Sequence, residues 1–255
     1  MSIYNTTWIT GTPRTGSMLT FNIIREIFQI NAHNVKPQYV PQYDNDTIKC
    51  YLNEATNDTK FLNKYVFKTH QPLKLDLPKS KFVVNVRNPF DICASFYEFM
   101  KCDFTDAIEA AKSHLSTIQH YQACSKDIVM FVRYEELESN TSSTILKLSK
   151  FLDCDMNITL AERIASKFSK EAVNELIKAN TKNIEEKILS NQQIEDGSIV
   201  RLSESNYRAF DLNTGFQTRH ISNRNSGEWK KVFNKEEISI ITSELKECSE
   251  ALNFT

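Results

Sequence analysis

WITGTPRTGSMLTFNII, residues 8–24, is the stretch on which the fold turns. An apolar lead runs into a loop where Gly11 and Gly16 bracket Thr12, Pro13, Arg14 and Thr15. Beyond it, Leu19, Ile23, Ile24, Ile27 and Phe28 recur at the spacing of one helix face, which predicts a helix over Ser17 to Ile30. A strand, a glycine-bracketed loop and a helix start aim backbone N–H groups and the positive helix end at one point, a ready-made anion site. Arg14 adds a charge inside the loop. The Gly-x-x-x-x-Gly-hydroxyl spacing is that of a phosphate-cradling loop, yet Ser17 stands where the lysine of a nucleotide kinase follows the second glycine. An ordinary strand-to-helix turn with an exposed arginine has the same spacing and stands as the competing reading.

Outward from this loop, strand-length apolar runs alternate with helical patterns between residues 1 and 135, which predicts a parallel sheet covered by helices. The expected strands are Thr7 to Thr10, Tyr65 to Thr69, Phe82 to Val86 and Ile128 to Val132. FVVNV, apolar at four of its five positions, reads as the central strand, buried on both faces. Helices are expected over Pro89 to Lys101 and Ser142 to Leu152, with Pro89 in the first turn, where a missing N–H is no loss. Residues 158–194 are helical and more charged and read as an annex of the same domain. Residues 195–228 lose periodicity and read as a long functional loop or lid, and Lys230 to Leu252 returns to helix. The expectation is one α/β domain over residues 1–255, a central parallel sheet flanked by helices.

The bulk properties set limits on function. Thirty-one basic and thirty-two acidic residues leave a net charge of −1, so an anionic ligand must be held by locally placed cations, and nucleic acid is not the expected partner. No stretch approaches the roughly 18 apolar residues of a membrane span, and Met1 to Thr7 lacks a signal-peptide pattern. A cytoplasmic protein with no membrane partner is expected. Six scattered cysteines without a Cys-x-x-Cys pair read as reduced thiols and not as zinc ligands.

Two further constellations carry chemistry. In VFKTHQP, residues 66–72, extended backbone puts Lys68 and His70 on one side and Thr69 on the other. An imidazole that can take a proton then lies beside a cation that can neutralise a leaving oxygen. In VRNPFDICASF, residues 86–96, Arg87 ends a strand where ligands of open α/β sheets bind, and Ser95 lies two turns along the next helix. The pair suits a second phosphate. The alternative is that Arg87 forms an ion pair with Asp91.

TPRTGS, FKTHQPL, VVNVRNPFDICASFYEF, VRYEEL and SGEWKKVF, in this order and spacing, resemble the signature segments of the sulfotransferases that use 3′-phosphoadenosine 5′-phosphosulfate (PAPS). The match runs from residue 7 to about residue 233. The resemblance implies a P-loop-like sulfotransferase fold and a PAPS co-substrate that leaves as adenosine 3′,5′-bisphosphate (PAP), with no metal. It implies that Pro13, Arg14, Thr15, Gly16, Ser17 and Met18 cradle the phosphosulfate, with Arg14 in the place of the usual catalytic lysine. Lys68 is then expected at the transferring group and His70 as general base. Arg87 and Ser95 are expected on the 3′-phosphate, Tyr134 against the adenine, and Ser166 and Phe168 completing that pocket.

The sequence departs from the family at two places. Leu19 replaces a tryptophan that stacks on adenine in many members, and Ser222, Asn223 and Arg224 replace an Arg-Lys-Gly, leaving Arg224, with Asn225 beside it, as the expected substitute clamp. Tyr39, Tyr43, Tyr97, Phe99 and His114 are candidates for the acceptor side, and His114 and His120 are the reserve bases. The implied reaction moves a sulfuryl group to a hydroxyl or amine of a small molecule. A bacterial specialised metabolite is one expected acceptor, with a saxitoxin-type alkaloid among the candidates and phenols, steroids and carbohydrates open beside it, and the resemblance to dimeric relatives makes a homodimer one expected assembly. The competing classes are a P-loop nucleotide kinase and a non-catalytic nucleotide-binding protein of the same fold.

Overall fold

In the computed structural model, residues 4–74, 76–202, 207–222 and 224–254 are described. Asn223 and residues 203–206 of the expected lid lie outside them. Five parallel strands form the main sheet: β1 (Thr6–Thr10), β2 (Asn34–Lys36), β3 (Asn63–Thr69), β4 (Ser80–Val86) and β5 (Val129–Arg133). Their order is β2-β3-β1-β4-β5. The middle strand is therefore β1, not the FVVNV strand, which lies between β1 and β5. β4 and β1 are both interior strands buried on both faces, so an apolar run marks an interior strand without fixing its rank. β2 has no sequence signal because it is three residues long and partly exposed at the edge.

Each interior strand alternates its side chains between two cores. Ile9, Val66 and Val83 face one with Phe21, Ile24 and Phe28 of α1 (Ser17–Ile30), while Trp8, Tyr65, Phe67, Phe82 and Val84 face the other. α2 (Asp44–Cys50) and a wider turn at Tyr51–Ala55 cover the second face, together with α4 (Phe104–Gln122) through Ile118 and Tyr121. α3 (Pro89–Met100) packs on α4 and on the C-terminal α9 (Lys235–Ala251) in a third cluster, with Phe90 stacked on Trp229 at 4.8 Å. α5 (Tyr134–Ser139), α6 (Thr141–Phe151), α7 (Ile158–Lys167) and α8 (Lys170–Leu189) flank the first core, to which Ile145, Ala161, Ile164 and Val173 contribute.

The described residues of 195–228 are more ordered than their composition predicts. They form a hairpin of β6 (Ile199–Arg201) and β7 (Tyr207–Ala209), and Phe210 and Phe216 enter the core shared with α1. Val40 N–H donates to Leu212 O at 2.7 Å, tying the segment to the loop before α2. Its aromatic residues anchor it where its glycines and polar residues suggested only loop. No helix among the described residues is long and apolar enough to cross a membrane.

Candidate active site

The four long strands deliver the site at their carboxyl ends. β1 ends at Thr10 before the glycine loop, β3 at Thr69 before His70, β4 at Val86 before Arg87, and β5 at Arg133 before Tyr134. The strand order reverses direction about β1, the place where open α/β sheets bind their ligands. A cavity of about 450 Å³ opens there. Pro13, Arg14, Gly16, Ser17, Met18, Lys68, His70, Arg87, Ser95, Tyr134 and Arg224 all line it, so most of the residues singled out from the sequence converge on one place.

The loop holds its shape through its glycines and through hydrogen bonds from below. Gly16 has φ +84°, and a Cβ there would meet Tyr134 Cδ2 at 2.6 Å, so the position needs glycine twice over. Thr15 is fully buried and its hydroxyl donates to Thr12 O at 2.9 Å; its side chain supports the loop and does not face the cavity. His114 lies beneath, its Nε2 accepting from Arg87 N–H at 3.2 Å and its Nδ1 paired with Thr12 Oγ1 at 2.9 Å. Both nitrogens are thereby used as a brace, which removes His114 from the reserve bases and from the acceptor side. His120 is removed as well, since its Nε2 bonds Leu73 O on another face.

At the end of β3 the expected pairing is met: Lys68 Nζ lies 2.8 Å from His70 Nε2, while Thr69 turns into the core. His70 Nδ1 is 2.8 Å from Gly11 O, an acceptor only, so Nδ1 carries the proton and Nε2 presents a lone pair. Asp44 holds the His70 backbone N–H at 3.1 Å. Burial, with Lys68 next in effect, pushes the His70 pKa down to about 3, and burial brings Lys68 down to about 8. His70 is thus a neutral base at pH 7, and Lys68 is mostly a cation.

Arg14 and Arg87 form the other wall. Arg87 Nη1 donates to Arg14 O at 2.7 Å and its guanidinium lies over the Tyr134 ring at 4.1 Å, while its Nε is buried without a partner. Asp91 bonds the Gly227 N–H instead, so the expected alternative of an Arg87–Asp91 pair is not formed. Arg14 Nε donates to Ser95 Oγ at 3.0 Å, and its Nη2 to His220 O at 2.7 Å, with the guanidinium over Phe99 at 4.2 Å. Burial and then Arg87 push the Arg14 pKa down to about 9, still protonated at neutral pH. Among the described residues, none of Arg14, Lys68 and Arg87 has a carboxylate within ion-pair distance, and Asp44 is the only acid lining the cavity. Arg224 differs, for it is paired with Glu98 at 2.6 Å.

A second cavity of about 320 Å³ shares Leu19, Tyr134, Phe216 and Ile221 with the first and adds Phe168 and Asn225. Ser166 lines neither cavity: it is exposed on α7, and Ala165 and Ser169 take the inward positions. On the acceptor side Tyr43 and Phe99 line the first cavity, whereas Tyr97 packs on Phe233 and Tyr39 is at the surface. The sequence reading missed Asp44, Gln217 and His220, which come from segments without periodicity. Each has a polar or charged neighbour, Asn45, Thr218 and Arg219, so no polar-amid-apolar pattern marks them.

The sequence matches the sulfotransferase domain family over residues 5–247. No curated protein matches it. The fold is shared with retinol dehydratase in complex with androsterone and the inactive cofactor PAP, at 15% identity and a TM-score of 0.60, over 97% of this chain and 83% of that one. The same enzyme with retinol and PAP gives 16% and 0.61, over 97% and 84%. A mouse sulfotransferase complexed with PAP gives 14% and 0.61, over 98% and 88%.

Proposed function

The chain belongs to the sulfotransferase domain family, and on that premise we propose that it moves the sulfuryl group of PAPS onto a hydroxyl or amine of a small molecule with His70 as general base. It is a PAPS-dependent sulfotransferase. The observation that carries the residue assignment is the Nε2 lone pair of His70, 2.8 Å from Lys68 Nζ and fixed by the Nδ1 bond to Gly11 O. A base with its tautomer set in advance stands beside a cation, at the mouth of a cradle of cations without carboxylate partners.

His70 Nε2 takes the acceptor's proton as the acceptor oxygen or nitrogen forms its bond to sulfur. The bond from sulfur to the 5′-phosphate oxygen breaks in line, and Lys68 with the backbone N–H groups of Arg14 to Ser17 stabilises the charge left on that oxygen. Arg87, with its buried unpaired Nε, and Ser95 fit the 3′-phosphate. Tyr134, Leu19 and Phe168 give the adenine an apolar bed in the second cavity. Asn225 lies on that cavity, and Arg224 needs release from Glu98 before it can take a phosphate.

The acceptor side favours a neutral oxygenated molecule. A saxitoxin-type alkaloid, cationic through its guanidinium groups, would meet Arg14, Lys68 and His70 with Asp44 alone in compensation. Six unpaired thiols suit a reducing compartment, which supports a cytoplasmic setting. The kinase reading needs a lysine where Ser17 stands.

The test is transfer itself. Incubation with PAPS and a panel of alcohols, phenols and amines should yield products heavier by one sulfuryl group in mass spectra, without added magnesium. His70→Ala should slow that transfer by about two to four orders of magnitude, with PAP affinity retained. Magnesium-dependent phosphoryl transfer from ATP to the same panel would replace the proposal with the kinase reading.

A further inference from the structure

His220 is the one imidazole in the cavity to which the reaction above assigns no part. Its ring sits between Phe99 at 5.9 Å and Phe216 at 5.6 Å, its carbonyl takes Arg14 Nη2, and its N–H donates to Gln217 O at 2.9 Å. The backbone is thus fixed, and the two aromatic contacts hold the ring. Nδ1 is buried without a hydrogen-bond partner, while the ring lines the cavity, so Nε2 is the nitrogen a ligand can reach.

We propose that His220 selects the acceptor: its Nε2–H donates to a second oxygen next to the hydroxyl that His70 deprotonates. This rests on the sulfotransferase reading of the same cavity. The tautomer follows from what surrounds the ring. Arg14, Lys68, His70 and Arg208 face it, and with burial they hold its pKa well below the ordinary value, so the imidazole is neutral and has one N–H. A buried N–H without an acceptor is costlier than an unused lone pair. The proton therefore belongs on Nε2, and Nδ1 keeps its lone pair.

His70 has the opposite tautomer, with Nδ1–H on Gly11 and the lone pair on Nε2. The cavity consequently offers one imidazole that accepts a proton and another that donates a hydrogen bond. A molecule that satisfies both has a hydroxyl with a neighbouring hydroxyl, ether or carbonyl oxygen. Gln42, Asn45, Gln71 and Gln217 line the same cavity, polar side chains that suit further hydroxyl groups. The acceptor class is a vicinal diol or polyol, and a lone phenol or simple alcohol leaves His220 unused.

Two measurements test this. In PAP-saturated protein, trans-cyclohexane-1,2-diol should bind about threefold to tenfold more tightly than cyclohexanol, the worth of one neutral hydrogen bond. His220→Phe should abolish that preference and His220→Gln, which keeps a donor, should restore part of it. Equal binding of the two probes, or no detectable binding of either, overturns the proposal. Independently of any ligand, nitrogen spectra of the imidazoles should show the His220 proton on Nε2 and the His70 proton on Nδ1. A His220 protonated on Nδ1 overturns the proposal as well. Failure of PAP itself to bind strikes instead at the sulfotransferase reading, and the spectra still decide the tautomer.

Discussion

Single residues decide the chemistry through which of their atoms are already engaged. His70 and His114 differ in what meets their second nitrogen: Gly11 O takes Nδ1–H of His70 and the cavity-lining Lys68 meets its Nε2, whereas Thr12 and the Arg87 N–H hold both nitrogens of His114 below the cavity. The sequence places His70 between Thr69 and Gln71 and His114 between Ser113 and Leu115 and cannot show this difference, which depends on contacts 59, 102 and 27 residues apart. Lys68 gives a pH dependence of definite sign. With its pKa at about 8 in the empty site, Lys68 is protonated and attracts an anion below that pH. As pH rises through 8 the empty enzyme loses this charge, so PAP affinity should fall and binding should take up a proton. His70, at about 3, adds no limb between pH 5 and 7. Calorimetry in buffers of different ionisation enthalpy measures the proton uptake, and Lys68→Met should flatten the profile. An affinity limb centred near 6.5 in place of 8 would show that an unshifted imidazole governs binding.

At the scale of elements, the site is made by strand ends and helix starts. The N-terminus of α1 sits over the loop, and the start of α3 is fixed by Pro89 and by Asn88, whose side chain accepts from Phe90 N–H at 3.0 Å. This α3 start was legible because Pro at the first helical position is a local signal. The hairpin β6–β7 was not, since each strand has three residues and is paired only to the other. Gly16, the residue before α1, is where element and site meet. Gly16→Ala forces a side chain into the left-handed region and against the Tyr134 ring. The variant should lose about 1 to 3 kcal/mol of stability by this strain and bind PAP at least tenfold more weakly. Unfolding in denaturant and titration with PAP measure the two effects. Stability lost with PAP affinity unchanged would mean that the Gly16–Tyr134 contact has no part in the nucleotide site.

For the molecule as a whole, the parallel sheet and the convergence of the first loop, Lys68–His70, Arg87–Ser95 and Tyr134 were legible because each lies at the end of a strongly apolar strand. The rank of strands was not, nor was the closing wall from residues 210–222, whose position depends on Phe210 and Phe216 reaching the α1 core. A net charge of −1 hides a site where Arg14, Lys68 and Arg87 face one cavity. That concentration of cations at two separate phosphate positions is the central claim, and calorimetry with PAP and with AMP tests it most directly. PAP should bind far more tightly than AMP without magnesium, and Arg87→Ala should remove most of the difference, about 1.5 to 3 kcal/mol for one charge-assisted clamp. Equal affinity of the wild-type protein for PAP and AMP would contradict it.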